Sequence, residues 1–271
     1  MGRRLTVLQL LPALEAGGVE RSTVEIADAL VRAGHRALVV SAGGRLLPEL
    51  LATGAEHVAL DIGRKSPLSL RHVPALRRLF AREGVDIVHA RSRLPAWLAR
   101  LALRGMRAPP RFVTTVHGLN SPSRYSAVMV SGERVICVSR TVRDYVLAHY
   151  PKLDRKRLRV VPRGIDPARF PRAPRPDRAA RRRVATLHPA LGGDGPLLLL
   201  PGRGTRLKGH VDALRLLAAL REEGTDARLW LPGARQPLRE DYVRELEGEA
   251  TRLGVAGALA VTAPTSEIAE A

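Results

Sequence analysis

The residues most suited to chemistry stand in the second half of the chain, where an apolar run at 196–200 breaks into Pro201-Gly202-Arg203-Gly204-Thr205-Arg206-Leu207-Lys208-Gly209. A glycine turn between a strand and a helix lets backbone approach a ligand, and the helix N-terminus favours an anion. Arg203 and Lys208, five positions apart, would put a bidentate fork and a compact charge near the start of a helix expected over 207–223. That pair suits a diphosphate. Gly209 follows the lysine where a P-loop would place a magnesium-holding Ser or Thr, so this is not a P-loop. A basic surface turn in an arginine-rich chain would read the same way, and spacing alone leaves both open.

A second glycine loop lies near the amino terminus: Gly17-Gly18-Val19-Glu20-Arg21, between an apolar run and an amphipathic stretch. It is neither the dinucleotide fingerprint nor a P-loop, so a tight structural turn and a ligand loop are both open. His117 follows the apolar run at 112–116 and precedes Gly118, a position from which it could donate a hydrogen bond into a crevice. His89 sits similarly after Asp86-Ile87-Val88 and reads as structural, packed beneath such a crevice.

These loops need elements to hold them. Apolar runs at 5–10, 36–41, 57–60, 86–90, 112–116, 135–138 and 159–162 alternate with amphipathic stretches at 19–32, 46–52, 70–82, 94–103 and 140–148, the last capped by Ser139. Strands alternating with helices imply a parallel, doubly wound α/β sheet covered on both faces, with ligands at the carboxyl ends of its strands. The stretch 5–14 behind Arg3 and Arg4 could also pass for a signal peptide, but Gln9 interrupts it and a glycine turn follows at once, which favours a strand. A proline-rich basic segment follows, with 13 basic and 3 acidic residues between Pro151 and Arg183. It reads as an exposed connection with a short helix at 177–187. Alternation then resumes with strands at 196–200, 227–231 and 258–261 and helices at 207–223 and 238–253. The expected organisation is a first domain over 1–162, a linker over 163–195 and a partial second domain over 196–271.

Composition narrows the partners. Hydrophobic residues are 45% of the 271, enough for a packed core and too many for a disordered chain. One cysteine, Cys137, excludes an internal disulfide framework and any multi-cysteine metal site. No apolar run reaches the ~18 residues of a membrane span. The net charge of +19 comes from 41 arginines against 4 lysines, while aromatics are only 3%. Single-strand binders need stacking aromatics, so nucleic acid is not the expected partner. A phosphate-bearing substrate or an anionic lipid surface fits better, the latter through Arg64, Lys65, Arg71, Arg77, Arg78 and Arg82. A solvated helix face is the other reading of those residues.

Taken in order, the glycine loop with Gly17, Gly18 and Glu20, the segment Thr114-Thr115-Val116-His117-Gly118, and Val138-Ser139 opening a helix resemble the amino-terminal domain of glycosyltransferase family 4. Val160-Val161-Pro162-Arg163-Gly164-Ile165-Asp166, followed by Phe170, resembles that family's inter-domain signature, and Gly202-Arg203 with Lys208-Gly209 its donor-phosphate motif. The resemblance implies a GT-B architecture of two Rossmann-like, doubly wound parallel-sheet domains facing a cleft. It implies sugar transfer from a nucleotide diphosphate sugar, with retention, to a cell-envelope or lipid-linked glycan. Gly202, Arg203, Lys208 and Gly209 would hold the donor diphosphate, and the two cations would stabilise the leaving group. Gly17 and Gly18 would approach the phosphates or the acceptor, with Glu20 part of the same loop. His117 would line the acceptor side and bond the transferred sugar. No metal and no cofactor beyond the nucleotide sugar is implied. The expected location is the cytoplasm, with peripheral contact at the inner face of the plasma membrane.

Two departures stand out. The inter-domain signature usually carries Asn where Arg163 stands. The family also places two glutamates eight positions apart late in its second domain, and no two glutamates of this sequence are eight apart. The expectation is therefore a chain truncated in its donor domain, the second Rossmann-like domain being incomplete, with little or no turnover. The alternative is a non-catalytic module that binds an acceptor or partner.

Overall fold

A computed structural model describes residues 3–168, 170, 172 and 177–265. The chain divides between Gly164 and Ile165 into two units, each with its own core.

The first unit is a wholly parallel seven-stranded sheet. Its strands are β1 (Thr6–Leu10), β2 (Arg36–Ser41), β3 (Glu56–Ala59), β4 (Ile87–Ala90), β5 (Arg111–Val116), β6 (Arg134–Cys137) and β7 (Leu158–Val160), in spatial order β3-β2-β1-β4-β5-β6-β7. The helices are α1 (Gly18–Arg32), α2 (Leu47–Ala52), α3 (His72–Arg82), α4 (Arg93–Arg104) and α5 (Arg140–His149). Why β2 is apolar from Ala37 to Val40 is visible in its alternation. Leu38 and Val40 enter a large core with Leu76, Phe80 and Leu98, while Ala37 and Val39 enter a second core with Val24, Ala27 and Leu50. Both faces are covered, so these four positions are apolar. β1 obeys the same period. Leu8 and Leu10 face the large core, and Gln9, fully buried on the other face, gives its amide N–H to the Thr23 carbonyl of α1 at 3.1 Å. The residue that interrupts the apolar run is thus satisfied within a central strand.

One helix start in this unit differs from expectation. The stretch 70–82 begins as a 3-10 turn, Pro67–Arg71, with Ser66 Oγ accepting from the Leu68 N–H at 3.3 Å. α3 begins only at His72. Ser139 does cap α5, accepting from the Val142 N–H at 3.1 Å.

The second unit carries α6 (Arg178–Leu187), β8 (Leu197–Leu199), α7 (His210–Glu222), β9 (Arg228–Pro232), α8 (Glu240–Arg252) and β10 (Leu259–Thr262). Its three parallel strands run β10-β9-β8. Central β9 alternates like β2. Leu229 and Leu231 pack with Leu214, Leu217 and Leu246 of α7 and α8, and Trp230 turns to the opposite face with Val184 and Leu191. α6 supplies that cover. The described part of the stretch expected as connection, 163–195, therefore contains a helix that belongs to the second core. Its sequence reads as solvated because only Ala180 and Val184 of α6 are buried, while four of the other eight residues are arginines. The proline-rich residues 169, 171 and 173–176 lie outside the described set.

Candidate functional site

The sheet order of the first unit reverses between β1 and β4, and a ligand of such a sheet binds at the carboxyl ends of the strands flanking that reversal. Two segments meet the requirement, the loop from β1 into α1 and Arg91 after β4, and His117 follows β5, the next strand beside β4. Gly17 precedes α1 with φ of 154°, a conformation that side chains disfavour. A Cβ there would fall 2.5 Å from Glu20 Oε2, so the Glu20 carboxylate folds back over the start of α1. That places an acid where the helix end favours one.

Arg91, absent from the sequence expectations, is the buried cation of this crevice at 3% exposure. It donates to Gln9 Oε1 at 3.1 Å and to Ser22 Oγ, and its Nε is buried with no partner among the described residues. Burial, seconded by the charge of Arg163, lowers its pKa to about 10. His89 is also buried, with Nε2 2.7 Å from Thr115 Oγ1, and burial pushes its pKa down to about 3. It is a neutral, satisfied imidazole beneath the crevice.

His117 is partly buried. Its Nδ1 takes a hydrogen bond from Arg163, whose other guanidinium nitrogen donates to the Gly18 carbonyl. Its Nε2 is buried and finds no partner among the described residues. Burial first, then the charges of Arg91 and Arg163, drives its pKa to about 2. Gly17, Gly18, Glu20 and His117 thus gather at one end of the sheet, with Arg91 and Arg163 among them. Two nitrogens of this group, Arg91 Nε and His117 Nε2, are buried without a partner among the described residues.

In the second unit the loop after β8 is anchored by the Gly202 N–H on the Pro232 carbonyl at 2.9 Å. Lys208 lies in a 3-10 turn, Arg206–Lys208, and Gly209 stands between it and α7 in the left-handed region at φ 73°. Neither Arg203 nor Lys208 is therefore within the helix, which starts at His210, two residues after Lys208. A left-handed residue cannot continue a right-handed helix, and this breaks the expected 207–223. The Lys208 stem crosses Gly202, where a Cβ would sit 3.4 Å from its Cδ. Arg206 is committed to Glu245 Oε2 at 2.8 Å, whereas Arg203 and Lys208 are exposed and pair with no described acid. Beneath the loop His210 is wholly buried, Nδ1 3.4 Å from the Tyr242 hydroxyl and Nε2 unpartnered among the described residues.

Gly204 fixes how closely this loop sits on its neighbour: a Cβ would collide with the Ala234 carbonyl oxygen. Gly204→Ala is expected to cost about 1–3 kcal/mol by forcing backbone apart. Urea unfolding checks it, and an unchanged midpoint would count against this packing.

The basic stretch after β3 is partly reassigned. Arg77 turns inward and gives its Nε–H to the Ala102 carbonyl at 3.2 Å, which removes it from the face expected with Arg64, Lys65, Arg71, Arg78 and Arg82. Those five are exposed, with Leu68 and Leu70 open to solvent among them at 70% and 55%. Among the described residues no helix is long and apolar enough to cross a membrane, and no three His, Cys, Asp or Glu side chains gather where a metal could be held.

A doubly wound parallel sheet followed by a second, smaller parallel sheet, with ligand loops at strand ends, defines a GT-B-like fold of tandem Rossmann-like units. The family model for Glycosyltransferase Family 4 matches residues 16–169, and the chain belongs to that family. It is 27% identical to the crystal structure of a glycosyltransferase from Rickettsia africae ESF-5, with a TM-score of 0.81 over 99% of this chain and 70% of that one. Anabaena HepE, solved in complex with UDP and glucose, shares the fold at a TM-score of 0.79 and 17% identity, over 98% of this chain and 71% of that one. A component of the human phosphatidylinositol N-acetylglucosaminyltransferase is 25% identical over 170 residues, 57% of this chain. The chain spans 35% of that protein's length.

Proposed function

We propose that this chain takes part in moving a sugar, with retention at the anomeric carbon, from a nucleotide diphosphate sugar to a lipid-linked or cell-envelope glycan. The observation that carries the donor side is the loop at 201–209, where Arg206 is tied to Glu245 while Arg203 and Lys208 stay exposed and pair with no acid among the described residues. Two uncommitted cations on a glycine turn are suited to a diphosphate and to the charge that grows on it as it departs. Gly202 and Gly209 keep the turn close and let Lys208 fold back. In the first unit Gly17, Gly18 and Glu20 shape the loop toward phosphate or acceptor, and His117 offers Nε2 to a sugar oxygen. No metal is assigned, because Arg203 and Lys208 supply the positive charge.

A lipid-linked acceptor suits the exposed Leu68 and Leu70 among Arg64, Lys65, Arg71 and Arg78. Apolar tips within a basic ring fit an anionic bilayer surface, as on the inner face of a plasma membrane. Leu68→Asp/Leu70→Asp is expected to lower binding to phosphatidylglycerol vesicles at least about tenfold, since each leucine is worth ~1.5–3 kcal/mol when fully buried. Co-sedimentation measures it, and equal partitioning of both proteins would remove the membrane from this reading.

A second reading is binding without transfer. One experiment separates the two. The protein is incubated with UDP-, GDP- and ADP-linked labelled sugars and an envelope lipid extract. Label entering lipid or glycan supports transfer; nucleotide binding with no transferred label supports the binding module.

A further inference from the structure

Arg163 takes no part in the sugar-transfer reading, yet its guanidinium spans two segments of the first unit. It donates to the Gly18 carbonyl at the start of α1 and to His117 Nδ1 after β5. These partners are 145 and 46 positions away in sequence, so the contact belongs to the fold and not to a local turn. A guanidinium can only donate. The nitrogen facing it must therefore carry a lone pair, and the ring proton must sit on the other nitrogen.

We propose that Arg163 is the positioning residue of this crevice: fixed on the Gly18 carbonyl, it holds His117 as the neutral tautomer with its proton on Nε2, so that His117 meets its ligand as a hydrogen-bond donor and not as a base. Nε2 is buried without a partner among the described residues, so the proton Arg163 places there is a donor that no described residue accepts. The groups facing the ring act in the same direction. Arg91, Arg163 and neutral His89 surround it, and a second proton on Nδ1 would point at the Arg163 N–H. Glu20 and Glu25 offset part of the charge on Arg91 and Arg163, which keeps the cluster from dispersing. The ligand class follows from the donor: an oxygen with a free lone pair, such as a sugar hydroxyl, which is where this inference rests on the proposed sugar transfer.

Nitrogen NMR of protein labelled at histidine tests this without any turnover, and His117→Gln assigns the signal among the eight histidines. In the unchanged protein the His117 signal is expected to show a single Nε2–H tautomer from pH 5 to 8 with no titration. In Arg163→Met, which keeps the apolar stem, both tautomers are expected. Arg163→Lys, which still donates, should restore the single tautomer. The amide fingerprint reports whether each variant is folded. An Nδ1–H tautomer in the unchanged protein, or the same single tautomer in folded Arg163→Met, would overturn the proposal. Nucleotide binding is measured separately. A tautomer that responds to Arg163 in a protein that binds no nucleotide would sink the functional reading and leave the positioning role standing.

Discussion

Replacing Arg203 and Lys208 together by alanine is expected to weaken binding of the preferred nucleoside diphosphate by about two to four orders of magnitude. Each charged hydrogen bond to a phosphate contributes roughly 1.5–3 kcal/mol. Both side chains are exposed and free of acidic partners among the described residues, so that energy is available to a ligand and is not consumed inside the protein. Salt should screen the interaction, so the comparison holds at one ionic strength. Arg206→Ala is the matched control. It removes one positive charge from the same turn, but that charge is already paired with Glu245, and a much smaller loss is expected. Equal losses for Arg203→Ala and Arg206→Ala would mean a diffuse basic surface and not a built phosphate loop.

Trp230→Ala should have the largest effect on folding, about 3–5 kcal/mol for a buried aromatic. The indole is 1% exposed, gives its N–H to Thr262 Oγ1 at 2.9 Å, and joins β9 to Val184 of α6 and to Leu191. Its loss removes the largest of the fully buried side chains on that face of the small sheet. The first unit has a separate core and should be spared. Hydrogen exchange read by mass spectrometry resolves both statements. In the unchanged protein residues 178–187 should be protected, and in Trp230→Ala they should exchange far faster while β1, β4 and β5 keep their protection. Rapid exchange of 178–187 before any substitution would return α6 to the status of a solvated connection.

Much of the fold is legible in the sequence because parallel strands buried on both faces leave continuous apolar runs, as β2 does with Ala37 through Val40. Glycine pairs mark the two loops for a similar reason, since few other residues tolerate such turns. Cations are harder to read. In a chain with 41 arginines, Arg91 and Arg163 look like surface charge. What sets them apart is the company they keep: Gln9 and Ser22, 82 and 69 positions from Arg91, and Gly18 and His117 around Arg163. The one available hint was Gln9, a polar residue in a buried strand that must find partners. The departure at Arg163 was visible as a residue type, but its reach to His117 was not. The helix at 177–187 is legible, but its place against the second sheet is hidden by its own arginines, because two buried residues are too few to display a period. The split before α7 depends on the left-handed Gly209, a backbone state that a glycine permits without announcing.

Calorimetric titration of the folded chain with UDP, GDP and ADP tests most directly whether a working donor-phosphate loop exists. Saturable, one-to-one binding of one of the three, lost in Arg203→Ala/Lys208→Ala, is the predicted result and would identify the donor base. No heat of binding from any of the three, in protein whose amide fingerprint shows both units folded, would contradict it.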